Sequence, residues 1–147
     1  MIAHQASCVA VGERALLIEG APGSGKSSLA LALIDRGARL IGDDGVLLEA
    51  REGQLLAHPH SATRGLIEVR NLGVLTLPVC DGAPVALMLV LDPEAPRFVD
   101  GPERRAMLEI AIPVLRLTPH DALLPVKAGL ALERYGLATP PLPSALD

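Results

Sequence analysis

The residues Gly20-Ala21-Pro22-Gly23-Ser24-Gly25-Lys26-Ser27 fit the pattern G-x-x-x-x-G-K-[ST]. Glycines let a backbone turn sharply and approach phosphate oxygens. The free N–H groups and the dipole at a helix start favour an anion. In this pattern Lys26 reaches the outer phosphates and the Ser27 hydroxyl holds Mg²⁺. A plain glycine turn capped by a serine would give the same letters. The flanks decide between the two readings. Ala15 to Ile18 is an apolar run of strand character, and Leu29 to Ile34 is a Leu- and Ala-rich segment of helix character. Strand, glycine loop and helix together are what a nucleotide-phosphate site needs.

Further polar residues could join that loop. Asp43-Asp44 ends a short apolar segment, Arg39 to Ile41, read as a strand. In open α/β sheets that end faces the ligand. Neighbouring strand residues point to opposite faces, so two adjacent carboxylates would divide the work: one near the metal, the other aimed at a hydroxyl. In Ile67-Glu68-Val69-Arg70, the apolar and charged residues alternate, so Glu68 and Arg70 share one face. That face is either solvated or brings a carboxylate and a guanidinium to the phosphate site. Arg97 follows a buried apolar run in a proline-rich loop, Asp92 to Arg97, on the ligand side if that strand runs parallel to the others. His4 stands just ahead of the first hairpin. His58-Pro59-His60 has the look of a metal pair, yet no third ligand is near and Pro59 suggests a loop.

The elements that must position these groups read as follows. Residues 6–11 form a strand, Gly12-Glu13-Arg14 a hairpin turn, and residues 27–36 the first helix, stopped by Gly37. Residues 46–49 and 54–57 are strands around the turn Arg51-Glu52-Gly53. Pro84 to Leu91 is a continuous apolar run, hence a buried central strand. Ile112 to Leu117 is another strand. Thr118-Pro119 has helix-start chemistry, predicting a last helix from about Pro119 to Tyr135, ended by Gly136. The expected organisation is one domain over residues 1–136 and a loose proline-rich tail over 137–147. The middle of the chain is nearly all strand, so the expected class is α/β with a mixed sheet rather than an alternating, doubly wound one.

At 147 residues the chain can bury a core. With half its residues apolar but no Trp, one Tyr and one Phe, that core must be aliphatic. No apolar run is long enough to span a membrane, and no secretion signal is legible. Cys8 and Cys80 are too few for a disulfide framework and read as buried thiols of a reducing, cytoplasmic setting. A net charge of −4 without basic–aromatic runs argues against nucleic acid as a partner.

Taken as a set, these motifs resemble the catalytic domain of HPr kinase/phosphorylase, the bacterial enzyme acting on a serine of the phosphocarrier HPr. The resemblance rests on His4 ahead of the hairpin, the loop GAPGSGKS, the run Arg36-Gly37-Ala38-Arg39-Leu40-Ile41-Gly42-Asp43-Asp44, and Ile67-Glu68-Val69-Arg70-Asn71-Leu72-Gly73. The last is similar to the family signature I-E-I-R-G-L-G, with Asn71 in place of a glycine. The match covers roughly residues 4 to 75. It implies a phosphate-loop kinase with a mixed sheet and a nucleotide fold like that of phosphoenolpyruvate carboxykinase. It implies ATP and Mg²⁺ as cofactors, an HPr-like protein as substrate, and a homo-hexamer. Lys26 and the loop backbone would hold the nucleotide, with Ser27 and Glu68 as Mg²⁺ ligands. Asp44 would be the general base, with Asp43 supporting it or the metal, His4 tuning it, and Arg70 and Arg97 as further catalytic residues.

Longer family members carry a preceding domain, and the expectation is that this chain begins at the catalytic one. The family's phosphorolysis segment, P-V-R-P-G-R-N, is echoed only by Pro125 to Leu130, without its arginines. A kinase with weak phosphorolysis is therefore expected. The competing readings are a small-molecule or carboxykinase-like kinase and a nucleotide-binding regulator without catalysis. The retained carboxylates speak against the regulator, and the lack of a long lid insertion favours a protein substrate.

Overall fold

Among the described residues, the architecture is a curled main sheet with the two helices on one face. The computed structural model describes residues 1–139. The chain opens with a short strand, β1 (Ile2–His4), followed by β2 (Ser7–Val11), β3 (Arg14–Gly20), the helix α1 (Lys26–Asp35) and β4 (Arg39–Gly42). Next come the hairpin β5 (Val46–Arg51) and β6 (Gln54–Pro59), and, after a 3-10 turn at Ser61–Thr63, the hairpin β7 (Leu66–Val69) and β8 (Gly73–Thr76). The last elements are β9 (Ala83–Leu91), β10 (Glu103–Met107), β11 (Ile110–Leu117) and the helix α2 (Leu124–Tyr135).

The spatial order is β1-β5-β6-β9-β3-β2-β4, with β11 and then β10 attached to β9; β7 and β8 form a separate pair. β9 runs parallel to both β3 and β11, while β2 is antiparallel to β3 and to β4. So β3, β4, β9 and β11 all point the same way. The loops that follow them, at residues 20, 43, 92 and 118, leave one edge of the sheet. This is the expected mixed α/β arrangement, with β9 as the buried central strand.

The core follows from the pleat. Along β3, Leu16 and Ile18 face the helices, meeting Leu29 and Leu33 of α1 and Leu124 and Leu132 of α2. Leu17 faces the other side, where Val46, Leu48, Leu55 and Ala57 of the curled-over hairpin cover it. All of these are almost completely buried. At about 25 cal/mol per Å² of apolar area, such two-sided burial is the main stabilising term. Cys8 and Cys80 are both buried and unpaired. Burial, with Cys80 adding to it, pushes the Cys8 thiol pKa far up.

Several expectations are corrected. His4 stands ahead of the β2–β3 hairpin as read, but it also ends a strand not foreseen, β1, where it pairs with Val46. Residues 58–59 continue β6 rather than forming a loop, and Pro59 pairs with Val46 at the strand's end. The polar segment Glu103–Met107, not foreseen as a strand, pairs with β11 alone as an edge. The last helix begins at Leu124, not Pro119. His120 has φ 62, which a right-handed helix cannot accommodate, and Asp121 closes a local turn just ahead of the helix, its Oδ1 accepting from Leu123 N at 2.9 Å, while no side chain caps the helix itself. Pro125 falls in the first turn, where its missing N–H costs nothing. Beyond Gly136, Leu137 N donates to Ala86 O at 2.9 Å, and its carbonyl accepts from Arg14 at 3.2 Å. The expected tail therefore starts docked on the sheet. Its residues 140–147 lie outside the described part.

Candidate active site

The glycine loop joins β3 to α1. Gly20 is required by space, since a Cβ there would collide with Ser24 Oγ. Gly25 opens α1 in a left-handed conformation, φ 94, which glycine adopts without penalty. No side chain caps this helix and no acidic residue lies in its first turn. Its terminal N–H groups are thus free to meet an anion. The Lys26 ammonium lies across the loop and donates to Gly20 O at 3.0 Å. Ser24 Oγ is buried without a hydrogen-bond partner.

Asp43 ties three elements together. Its Oδ1 accepts from Ser27 Oγ at 2.6 Å and from Ser7 Oγ at 2.9 Å. Its Oδ2 accepts from Glu68 N at 3.1 Å. The buried carboxylate therefore links the start of α1, the neighbouring strand β2 and the hairpin β7–β8. Ile67 is buried against the helical face of the core and Glu68 is exposed, as the alternation requires. Asn71, standing where the family signature has glycine, has φ 74. Asparagine is among the few residues that adopt this readily. The outcome is a cleft of about 290 Å³ lined by Gly23, Gly25, Lys26, Ser27, Glu68 and Arg70, with His120.

Asp44 is differently placed. It is exposed, has φ 58, and receives a hydrogen bond of 3.4 Å from Gln5 Nε2. Both aspartates lie past the end of β4, so it is this left-handed turn, not strand alternation, that separates their side chains. Asp44 lines a shallow hollow with His4, Gln5 and His60. His4 thus lies close to Asp44, but its imidazole bonds elsewhere, to Glu19 Oε2 at 2.7 Å.

Glu19, the residue before Gly20, was not singled out from the sequence. Its other oxygen accepts from Arg105 at 3.0 Å. The His4 imidazole first, and Arg105 after it, hold the Glu19 carboxyl pKa below its ordinary value against partial burial. Arg116 was missed as well. It is the penultimate residue of β11, reaches Glu103 at 2.9 Å and Asp92 at 3.3 Å, and lines a second hollow with Glu19, Gly20 and Lys26. The only sequence signal for these residues was their place at strand C-termini. Arg97 is not brought to the cleft. It is exposed, with its guanidinium 5.4 Å from the Phe98 ring. Pro125 to Leu130, where the phosphorolysis segment was sought, lies inside α2. The loop that does reach the phosphate loop is the one carrying His120.

His58 bonds Glu49 at 3.0 Å. No cluster of three or more His, Cys, Asp or Glu side chains able to hold a metal exists among the described residues. No helix among them is long and apolar enough to cross a membrane.

A mixed α/β fold with a curled sheet and a glycine loop at its C-terminal edge defines the class. The family model "HPr Serine kinase C-terminal domain" matches residues 1–85, and this chain belongs to that family. The chain is 33% identical over 119 residues to the HPr kinase/phosphorylase of Clostridium tetani, covering 78% of this chain and 39% of that protein. It is 32% identical over 137 residues to that of Clostridium novyi, covering 83% and 45%. It thus spans less than half the length of these curated relatives. Its fold is similar to the structure of the HPr(Ser) kinase/phosphatase from Coxiella burnetii, with a TM-score of 0.81, 26% identity, and coverage of 90% of this chain and 95% of that one. These relatives do not favour the small-molecule kinase reading.

Proposed function

We propose that this chain is the catalytic unit of an ATP-dependent, cytoplasmic protein-serine kinase that phosphorylates an HPr-like phosphocarrier. The observation that carries the reading is the Asp43 junction. One carboxylate joins the Ser27 hydroxyl of the glycine loop to the backbone of the strand that bears Glu68 and leads into Arg70. Three motifs far apart in sequence thereby meet at one cleft.

ATP phosphates would lie against the uncapped start of α1, with Lys26 and Arg70 neutralising their charge. Phosphoryl transfer needs such alignment and charge stabilisation more than covalent help. Ser27, Glu68 and Asp43 offer a hydroxyl and two carboxylates, hard oxygen donors of the kind Mg²⁺ prefers. Mg²⁺ commonly takes one or two carboxylates and completes its shell with phosphate oxygens and waters. When bound, it would neutralise charge between the outer phosphates.

The two aspartates take different roles because their lone pairs are differently occupied. Asp43 accepts three hydrogen bonds and is held in place. Asp44 is exposed and accepts one long one, so its oxygens are free to take the proton of a substrate serine. A base so placed typically contributes about 10²–10⁴-fold. The hollow around Asp44 opens to solvent, which suits a protein acceptor. Reverse phosphorolysis would be weak, because the arginines of the family segment are missing. A carboxykinase-like nucleotide fold and a homo-hexamer belong to the same proposal. The exposed stripe Leu123, Val126 and Leu130 along α2 supports self-association, which sedimentation of the purified chain tests.

The test of function is incubation of the purified chain with labelled Mg-ATP and HPr-like carriers, followed by mapping of phosphoserine. Transfer to one serine of a carrier is expected. ATP binding without transfer to any carrier, together with transfer to a small metabolite, would overturn the proposal.

A further inference from the structure

We infer that His120 is a phosphate-contacting residue of the cleft, an inference that rests on the nucleotide reading above. His120 stands on the loop between β11 and α2, which leaves the same sheet edge as the glycine loop. Its imidazole lines the cleft beside Gly25, Lys26 and Arg70. Ring atoms Cε1 and Nδ1 lie 3.5 Å from where a Cβ on Gly25 would be. The ring therefore rests against the residue that opens α1, at the place where the free helical N–H groups emerge.

The backbone gives an independent observation. His120 has φ 62, a conformation that glycine adopts freely and most side-chain-bearing residues do not. Folding of this turn does not require an imidazole. The turn is fixed by its neighbour instead. The Asp121 carboxylate accepts from Leu123 N at 2.9 Å and pairs with the Lys127 ammonium, while its carbonyl accepts from Leu124 N at 3.0 Å. None of these bonds uses the imidazole. They aim it.

The groups around it define the ligand. Lys26 from the glycine loop and Arg70 from the turn after β7 contribute cations, and Glu68 contributes one carboxylate. An imidazole always carries at least one N–H donor, so no particular protonation state is needed. Lys26, Arg70 and His120 together present donors from three separate elements around the start of α1. That is the pattern for a phosphoryl group of a nucleoside di- or triphosphate.

The test uses the whole chain carrying His120→Gly or His120→Asn, both of which tolerate a positive φ. Affinities for Mg-ATP and for inorganic pyrophosphate with Mg²⁺ are measured by calorimetry, beside the urea midpoint. Both variants should weaken both ligands about tenfold or more, the loss expected for one hydrogen bond to a charged group. The His120→Gly midpoint should equal or exceed that of the unsubstituted chain. Unchanged affinity for both ligands would overturn the inference and leave the nucleotide reading standing. A loss for ATP but not for pyrophosphate would place the ring on the nucleoside and overturn the phosphate contact. If the unsubstituted chain binds neither ligand, the nucleotide reading fails and the inference falls with it.

Discussion

Replacing Asp43 by alanine should destabilise the fold as well as the site. The carboxylate is 9% exposed and accepts from Ser7 Oγ, Ser27 Oγ and Glu68 N at 2.9, 2.6 and 3.1 Å. Ser7 is completely buried, so Asp43→Ala leaves its hydroxyl without this acceptor. An orphaned buried donor costs about 1–3 kcal/mol, and a hydrogen bond to a charged group contributes about 1.5–3 kcal/mol. Relief of burying the charge offsets part of this. The net expectation is a loss of about 3 kcal/mol, a large share of the roughly 5–15 kcal/mol total of an ordinary domain. Asp43→Asn keeps the shape and one acceptor oxygen, so it should cost about half as much, in the range of a neutral hydrogen bond. The assay is urea denaturation of both variants and of Ser7→Ala. A double-mutant cycle between residues 7 and 43 should show coupling of about 1 kcal/mol. Asp43→Ala within about 0.5 kcal/mol of the unsubstituted chain, the scale of an ordinary surface change, would refute the junction.

Other perturbations separate the remaining roles. Lys26→Ala should weaken Mg-ATP by more than tenfold, about 1.4 kcal/mol, and abolish transfer; equal affinity in a titration would remove Lys26 from the site. Glu68→Gln should raise the Mg²⁺ concentration needed for half-maximal transfer while leaving metal-free ATP binding nearly unchanged; superimposable Mg²⁺ titrations would return Glu68 to a solvated face. Asp44→Asn should abolish single-turnover transfer to the carrier with ATP affinity almost intact, and loss of both together would mean the two aspartates are exchanged in role. The Glu19 carboxyl is depressed from an ordinary value of 4.5 by His4 and Arg105. Its contribution to stability is therefore full above that value and is lost as pH falls through the lower, folded-state value. Urea midpoints of Glu19→Gln should accordingly fall less steeply with acidification than those of the unsubstituted chain, and parallel profiles would contradict the assignment.

The parts of this protein legible in its sequence are those set by local pattern. The glycine loop between an apolar strand and a Leu/Ala helix, the continuous apolar β9 and the alternation that exposes Glu68 and Arg70 all follow from spacing and periodicity. Each is a property of a few adjacent residues. The mixed sheet was legible too, because two helices cannot connect so many strands in alternation. What only the tertiary structure decided depends on residues distant in the chain. β1 is three residues long and β10 is polar, so neither carries a pattern; each exists because a neighbouring strand offers backbone partners. Thr118-Pro119 has the chemistry of a helix start, yet α2 begins at Leu124, because His120 turns left-handed against Gly25 and Asp121 closes a local turn ahead of Leu123. His4 shares a hollow with Asp44, yet its imidazole bonds Glu19, whose second partner, Arg105, is 86 residues further along. Such pairings arise where four parallel strand ends converge on one edge, and no local spacing encodes which charges will meet there.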